Sequence, residues 1–352
     1  MTTIQRVADL AGVSTATVSR SLAGKSSVSP ATKERVEAAA KELGYVVSSA
    51  ASSLASGRTR NIGFILPDLD SWFFMAVLKG AQRMLADAGY DVTLYHLPAA
   101  NGLDVDEPGT ARRARLFDEI LRRQRCDALI AVNLELDERE REALRELGRC
   151  LVGLGGPVHG VHSLGLDDTA VAYDATTHLL SLGHTAIAHI TGDAEFERDF
   201  AMPATRRAGY ESALAEAGIE SDPLLVRTAD FTIAGAYEAT KQLLADPHVH
   251  PTAVFAASDE MAIGAILAAR DLGLSVPEDL SVMGVDGHDL ADFFGLTTID
   301  QYPEQQGQRV AELVLSELAG EGVEAVVERL PYALVQRSST SIAPPLHSPI
   351  TP

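Results

Sequence analysis

The sequence has little that would stabilise a secreted domain or anchor the chain in a membrane. Only two of its 352 residues are cysteines, Cys126 and Cys150, which is too few for a disulfide framework. No apolar run approaches the roughly 18 residues that a membrane-spanning helix requires. The N-terminus also lacks a basic segment followed by an apolar one, the pattern of a secretory signal. We therefore expect a cytoplasmic protein with no membrane partner.

Signals for catalysis are also scarce. The sequence contains no Gly-rich loop ending in Gly-Lys-Ser/Thr and no Gly-x-Ser-x-Gly motif. The segment GLGGPVHG at 153–160 follows a predicted strand, but Pro157 and Val158 follow its glycines and no helix begins there, as a dinucleotide site would need. His248 and His250 lack partners at metal-ligand spacing. We therefore expect no enzyme, no cofactor and no metal.

Basic residues are in deficit overall, but the deficit is uneven. The chain has 29 Lys and Arg against 49 Asp and Glu, a formal net charge of −20. Residues 1–60 have eight basic and four acidic side chains, so the other 292 residues carry a net charge of −24. A small basic head on a large acidic body is typical of a head that meets phosphate groups. Chance variation along the chain would give a similar imbalance, so the local pattern has to decide.

The first 46 residues predict three short helices. Apolar residues recur at helical spacing at the start of the chain, at Ile4, Val7, Ala8 and Ala11. Gly12 then ends the first helix, and Ser14 caps a second one from about Thr15 to Leu22. A third helix begins at Ser29 and Pro30. Two short helices joined by a tight turn form a helix-turn-helix, although a protein-binding module can have the same outline.

The second helix has an outward face suited to DNA. Val18 and Leu22 face inward, which leaves small, hydroxylated or cationic residues outside: Thr15, Ala16, Thr17, Ser19 and Arg20. Short side chains allow a helix to approach the major groove, and an arginine can bind guanine O6 and N7 together. Hydroxyl groups can reach phosphates. The pattern favours a DNA-binding head.

The head also resembles a known family. VADLAGVSTATVSRSLAG, followed by VSPATKERVEAAAKELGY, closely resembles the N-terminus of LacI/GalR-family transcription regulators. The resemblance implies that Thr15, Ala16 and Arg20 face base edges. It implies phosphate contacts for Thr17, Ser19 and the start of the third helix. The predicted DNA-binding residues of the head are Ser14, Thr15, Ala16, Thr17, Ser19, Arg20 and Ser29.

The segment after the head reads as a flexible Ser/Ala linker, VVSSAASSLASGRTR. In the LacI/GalR family this position holds a hinge helix that forms on operator DNA, and the resemblance implies that Leu54 is an apolar wedge in the minor groove. The family usually has Pro-Asn and an arginine where this chain has Val47-Ser48 and Ser52. The contribution of this hinge to operator preference therefore stays open.

From Asn61 onward the chain alternates apolar segments with helical ones. The predicted strands are NIGFILP, DVTLYHL, CDALIAV, AIAHITG, TAVFAAS and LSVMGVD, with helices predicted at about 73–88, 204–217 and 259–272. Such alternation indicates parallel sheets covered on both faces. About 275 residues suffice for two doubly wound subdomains. Ligands in these folds bind beyond the carboxyl ends of the strands.

The body resembles the LacI/GalR core in segment after segment, among them IGFILPDLDSWFF, DDTAVAYDATTHLLSLGH and GLSVPEDLSVMGVD. The implied fold is an N-terminal three-helix helix-turn-helix head plus an α/β periplasmic-binding-protein-like effector domain of two doubly wound parallel-sheet subdomains. The expected domains are a head at 1–46, a hinge at 47–60, a ligand-binding and dimerisation domain at 61–345 and a tail at 346–352.

The resemblance also implies a ligand-binding set: Phe73, Phe74, Arg206, Asp259, Asp286 and Gln301. Arginine and aspartate can bind vicinal hydroxyls of a sugar ring, and aromatic rings can cover its apolar face. Other interpretations stay open, namely a surface ion pair for Arg206, plain core for the two phenylalanines and a structural role for Gln301. The chain departs from the family at Ser71-Trp72, where Asn-Pro is frequent.

We therefore expect a sequence-specific DNA-binding transcriptional regulator, a repressor that binds a pseudo-palindromic operator as a homodimer. A small molecule, with a sugar favoured, would control its affinity allosterically from the cleft between the lobes. The tail lacks a leucine heptad, which favours a dimer over a tail-bundled tetramer. Two other functions remain open: an activator or global regulator that responds to a nucleobase or a protein co-effector, and a small-molecule binding protein without a DNA role.

Overall fold

A computed structural model describes most of the chain, which forms two compact units, residues 1–60 and 61–352. The described residues are 3–22, 28–45, 57–97, 113–115, 117–119, 122, 125–134, 136–146, 150–156, 158, 160–192, 202–321 and 326–344. The predicted wedge residue Leu54, its neighbours Val47, Ser48 and Ser52, and the tail at 346–352 lie outside these residues.

The described residues of the N-terminal unit form three helices, as the sequence predicts: Ile4–Ala11 (α1), Thr15–Leu22 (α2) and Pro30–Glu42 (α3). Gly12 ends α1 in the left-handed conformation, with φ 66° and ψ 38°, which glycine adopts without the steric cost of a Cβ atom. The small core of this unit is made of Val7, Ala8, Ala11, Val18, Val36, Ala39 and Ala40. Leu22, predicted to face inward, is half-buried, whereas its neighbour Ser21 is buried.

The second unit is built from two lobes. The elements of the first lobe are Asn61–Leu66 (β1), Trp72–Asp87 (α4), Asp91–His96 (β2), Ala128–Val132 (β3), Glu138–Glu146 (α5), Cys150–Leu154 (β4) and His162–Gly165 (β5). The second lobe begins with Asp168–Ser181 (α6), Ile187–Gly192 (β6), Met202–Glu216 (α7), Val226–Ala229 (β7), Ile233–Ala245 (α8) and Ala253–Ala256 (β8). It continues with Asp259–Asp271 (α9), Ser281–Asp286 (β9), Ala291–Phe294 (α10) and Thr297–Asp300 (β10). The chain then adds Pro303–Ala319 (α11), Val327–Arg329 (β11) and Ala333–Val335 (β12).

The described strands form one six-stranded sheet in each lobe. The strand order is β11-β5-β4-β3-β1-β2 in the first lobe and β12-β10-β9-β8-β6-β7 in the second. All described pairs are parallel except β10 with β12. The central strands are fully buried because helices cover both faces of each sheet, which explains their continuous apolar sequence. The expectation of two doubly wound subdomains is confirmed.

Along the residues that the structure describes, the chain passes between the lobes three times, after β5, after β10 and after β11. The passage after β10 brings α11 and β11 to the first lobe, and the passage after β11 returns the chain to the second lobe, where it adds β12. In the first lobe α11 packs closely on α4, since a Cβ atom at Gly307 would collide with the carbonyl oxygen of Val77. Both lobes are therefore completed by residues from the C-terminal part of the chain. None of the helices that the structure describes is long and apolar enough to cross a membrane.

Candidate functional site

The outer face of α2 carries the residues predicted to contact DNA. Ala16, Ser19 and Arg20 are exposed, and Thr15 and Thr17 are partly so, because Val18 anchors the opposite face in the core of the head. Arg20 lies along the helix, where its Nε–H donates to the carbonyl oxygen of Ala16 at 3.1 Å. This contact engages Nε and leaves the side chain at the surface. The arrangement can present a guanidinium and several small side chains to one groove of a duplex.

Ser14 and Ser29 each lie just before a helix and accept a hydrogen bond from its first turn. The backbone N–H of Thr17 donates to Ser14 Oγ at 3.1 Å, and that of Thr32 donates to Ser29 Oγ at 3.4 Å. A helix begins with unpaired backbone N–H groups, so these hydroxyls stabilise α2 and α3. Phosphate contacts by either serine remain a prediction.

In the second lobe, the predicted residues Asp259 and Asp286 meet at the carboxyl ends of β8 and β9. Asp286 ends β9 with φ 143°, a backbone conformation that is rare outside glycine and often marks a functional site. Its Oδ2 accepts the backbone N–H of Asp259 at 3.3 Å, and its Oδ1 accepts from Gln301 Nε2 at 2.6 Å. All three side chains are buried. The strands thus place two carboxyl groups and one amide at a single point.

Asp259 is already well supplied with hydrogen-bond donors. Its Oδ1 accepts from Thr298 Oγ1 at 2.6 Å, and its Oδ2 accepts the backbone N–H groups of Gly287 at 3.0 Å and His288 at 2.8 Å. Asp259 therefore holds the loop that follows β9, and a direct bond from Asp259 to an effector remains a prediction. Thr298 was not anticipated from the sequence, since its contact with Asp259 depends on the neighbouring strand β10.

Burial shifts the ionisation of this carboxyl pair. Desolvation raises the pKa of Asp259 to about 6, against the opposing effect of its hydrogen bonds. Burial and the charge of Asp259 raise the pKa of Asp286 well above its ordinary value, while the positive charge of Arg206 opposes the rise. Buried carboxyl groups with raised pKa values are common where a protein binds a ligand. The pair can accept hydrogen bonds from hydroxyl groups of a ligand, and a protonated member can also donate one.

Arg206 lies in the same region and is 4% exposed. Its Nε donates to Asp168 Oδ1 at 2.8 Å, and its Nη1 donates to the carbonyl oxygen of Ala257. The alternative of a surface ion pair does not describe this residue, because the Arg206 side chain is buried and that of its partner Asp168 is only 15% exposed. Asp168 was missed because it is 38 residues away in sequence, although its position at the start of α6 places it at a lobe crossover.

The remaining predicted residues belong to the other side of the cleft and to a crossover. Phe73 and Phe74 are half-buried at the start of α4, pack against the core of the first lobe and contact each other edge to face, with ring centroids 5.6 Å apart. Gln301 lies on the crossover after β10, where its carbonyl oxygen accepts from Gln306 Nε2 at 2.7 Å. The structure thus brings Asp259, Asp286 and Gln301 into one hydrogen-bonded group. The ligand-binding roles of all these residues remain predictions.

The neighbouring residue Trp72 makes contacts that the sequence did not predict. Its ring stacks on that of His288, with centroids 4.3 Å apart and 25° between the planes, and its Nε1–H donates to Asp289 Oδ2 at 3.3 Å. Its backbone N–H donates to the Glu260 carboxylate. Trp72 belongs to the first lobe and the other three residues to the second. The available signal was the unusual Trp72 itself, directly before the paired phenylalanines.

Each of the two units matches a known protein family. Residues 3–48 match the family described as bacterial regulatory proteins, lacI family, and residues 176–340 match the periplasmic binding protein-like domain. The HTH-type transcriptional repressor CytR of Escherichia coli (strain K12) is 33% identical over 348 residues, which cover 97% of each chain.

Solved structures agree with this result. The transcriptional regulator CelR–cellobiose complex is 30% identical, with a TM-score of 0.68, and the match covers 96% of this chain and 100% of that one. The lac repressor dimer bound to operator and the anti-inducer ONPF is 27% identical, with a TM-score of 0.81 and coverage of 97% and 99%. The chain therefore belongs to the lacI family of bacterial regulatory proteins, as a helix-turn-helix transcriptional regulator with a periplasmic binding protein-like domain.

Proposed function

We propose that the protein is a transcriptional repressor that binds operator DNA as a homodimer and responds to a small molecule in the cleft between its lobes. One observation carries this proposal: a head with an exposed, cationic helix face belongs to the same chain as a two-lobed domain with converging buried polar groups. A binding protein without a DNA role would have no need for the first feature. Because it acts on DNA in a bacterial family, we place it in the cytoplasm.

The proposed DNA contact follows from α2. Arg20 would leave the carbonyl oxygen of Ala16 and bind a guanine through two hydrogen bonds, while Thr15 and Ala16 allow the helix to approach the bases. Two heads related by a two-fold axis would then recognise a pseudo-palindrome with half-sites about one helical turn apart. We assign 47–60 to a hinge in which Leu54 inserts into the minor groove, and Leu54→Ala should weaken both operator binding and DNA bending.

The proposed effector is a sugar. A sugar ring has adjacent hydroxyl groups for Asp286 and Arg206 and apolar faces for Phe73 and Phe74. The similarity to a regulator solved with cellobiose supports this class of ligand. A ligand changes operator affinity only by its different affinity for the two lobe arrangements, so the effector would favour one arrangement of the heads. A thermal-shift screen of sugars, sugar phosphates, nucleosides and purines would identify the ligand class, since a ligand at a hundredfold excess over its Kd stabilises the folded protein by about 2.7 kcal/mol.

The DNA-binding proposal is tested with Arg20→Ala. The wild-type chain is first used to select its preferred duplex from a random pool, and fluorescence anisotropy then compares that duplex with a scrambled one. Loss of one bidentate base contact should reduce the discrimination by about 1–3 kcal/mol, or roughly 5–150-fold. Lys41→Ala is the matched control because it also removes one positive charge from an exposed position of the head.

Two results would contradict the proposal. If selection from the pool enriches no sequence, the head is not a sequence-specific DNA-binding domain. If Arg20→Ala discriminates as well as Lys41→Ala, the helix face has been assigned wrongly even though the protein binds DNA.

A further inference from the structure

Apart from the three crossover segments, one aromatic contact joins the lobes among the residues that the structure describes. Trp72 is the first residue of α4 in the first lobe, whereas His288 and Asp289 follow β9 in the second lobe and Glu260 is the second residue of α9. The chain has no other tryptophan. This contact therefore spans the cleft that the predicted effector residues line.

The contact combines three interactions of different kinds. The indole ring stacks on the His288 imidazole, the indole N–H donates to Asp289, and the backbone N–H donates to Glu260. Stacked aromatic rings stabilise a contact beyond the apolar area that they bury. The hydrogen bonds fix the orientation of the ring. Only the indole N–H bond would be lost if phenylalanine replaced Trp72.

The imidazole under Trp72 is itself held in place. The backbone N–H of Leu290 donates to His288 Nδ1 at 2.9 Å, so the neutral ring carries its proton on Nε2. Burial lowers the pKa of His288, which also favours the neutral ring. The backbone N–H of the same residue donates to Asp259 Oδ2 at 2.8 Å. A short chain of contacts thus leads from Trp72 to the buried carboxyl pair.

We propose that Trp72 is a positioning residue of the cleft: it holds the two lobes closed and fixes the loop 287–290, which in turn orients Asp259 and Asp286. The proposal rests on the proposed function only in that the cleft is the effector site. It assigns to this chain a closing contact between lobes at the position where its family often has Asn-Pro. An effector that favours the closed arrangement would have part of the cost of closing already offset by this contact.

The test measures hydrogen exchange in the full-length protein without DNA or effector. In Trp72→Ala the amides of 287–290 should exchange about two- to tenfold faster, the range expected for loss of one aromatic pair. Trp72→Phe keeps a ring against His288 and should give an intermediate increase. Leu69→Ala is the matched control, since it shortens a partly exposed apolar side chain just before α4. The amides of β8, inside the second lobe, should exchange at the wild-type rate in all variants.

Asp289→Ala tests the contact from the other lobe, at an exposed residue whose loss should leave the fold intact. Because Trp72 is the only tryptophan, its fluorescence emission reports this contact directly, and we expect a shift to longer wavelength as the indole meets more water. Unchanged exchange at 287–290 in Trp72→Ala, or unchanged emission in Asp289→Ala, would overturn the proposal. Equal acceleration in β8 would show a merely structural role for Trp72. A failure of the DNA-binding proposal would instead appear in the duplex measurements, which these experiments do not use.

Discussion

Two arginines summarise the difference between the head and the cleft. Arg20 is exposed and contacts a carbonyl group of its own helix, whereas Arg206 is 4% exposed and contacts a carboxylate on another helix. The difference extends to their surroundings, since the predicted DNA-binding residues surround a small core and the predicted effector residues lie within a large one. An exposed residue on the outer face of α2 can be lost without changing what holds the domain together. A residue in the cleft serves the ligand and the fold at once.

The largest effect is expected for Arg206→Met. The substitution leaves the Asp168 carboxylate, which is only 15% exposed, without its cation. Breaking a fully buried pair on one side destabilises a protein by about 3–5 kcal/mol, and we expect a loss toward the lower end of that range. Unfolding in urea should show this loss. Arg207→Met is the matched control, because the adjacent Arg207 makes an exposed pair with Glu211 and should cost under about 1 kcal/mol. Equal stability of the two variants would show that the cleft pair contributes no more than an exposed ion pair.

The next largest effect is a change of stability with pH that we assign to His189. The imidazole ring of His189 lies between the rings of Tyr210 and Phe255. Burial lowers the pKa of His189 to about 4, so the unfolded chain takes up the proton first as pH falls. The stabilisation that comes from keeping His189 neutral is complete above pH 6.5. As the pH falls from 6.5 to 4, the free energy of unfolding decreases by about 3 kcal/mol.

The variant His189→Phe isolates this effect from the raised carboxyl pKa values of Asp259 and Asp286, which act in the opposite direction. Urea unfolding at several pH values should show wild type losing stability relative to the variant between pH 6.5 and 4. His248→Ala, at a side chain that is 77% exposed, should follow the wild type. If the free energies of unfolding of wild type and His189→Phe change with pH in parallel, the lowered pKa of His189 is contradicted. The head has no histidine, so the contrast belongs to the body alone.

A third test uses Thr298→Val. Removing the hydroxyl group deprives the buried Asp259 of a donor at 2.6 Å, and leaving a charged group short of one bond costs about 1.5–3 kcal/mol. Loss of that donor also raises the pKa of Asp259 further. The destabilisation should therefore be greater at pH 8, where the carboxyl is ionised, than at pH 5. If the loss of stability is the same at both pH values, it comes from altered packing and not from the charge of Asp259.

The smallest effect is expected in the head, where it tests whether residues that stabilise a helix can be distinguished from residues that only face DNA. Ser29→Ala removes the hydroxyl that accepts from the Thr32 N–H, which should reduce the stability of the head by about 1 kcal/mol and speed exchange of that amide. Ser19→Ala, on the exposed face of α2, should leave the stability unchanged. Both variants should bind DNA more weakly if both serines contact phosphate. If Ser29→Ala leaves the stability of the head unchanged, as Ser19→Ala should, the predicted stabilising role of the Ser29 cap is wrong.

The sequence predicted best those features that depend on near neighbours. The three helices of the head follow from apolar spacing, Gly12 and the capping serines, all of which act within a few residues. The central strands follow from their unbroken apolar runs, because both sheet faces are covered. Partners across the fold were not predictable in the same way: Thr298 reaches Asp259 from a neighbouring strand.

The same reason accounts for Trp72 and Asp168. Trp72 is 216 residues from His288, and only the closing of one lobe on the other brings their rings together. Asp168 meets Arg206 because α6 packs beside α7. Sequence spacing predicts which side chains end a strand or begin a helix, but the pairing of those ends is set by packing between elements.

The three lobe crossovers have a consequence for synthesis. Because translation releases the N-terminus first, the head has all its helices once about 45 residues have emerged, and it can fold while the rest is still being made. The first lobe cannot be completed at that stage, since its helix α11 and edge strand β11 come from residues 303–329. Its sheet must wait, with the face that α11 covers exposed, until nearly the whole second lobe has been made. A nascent regulator thus has a finished head well before it has a finished sensor.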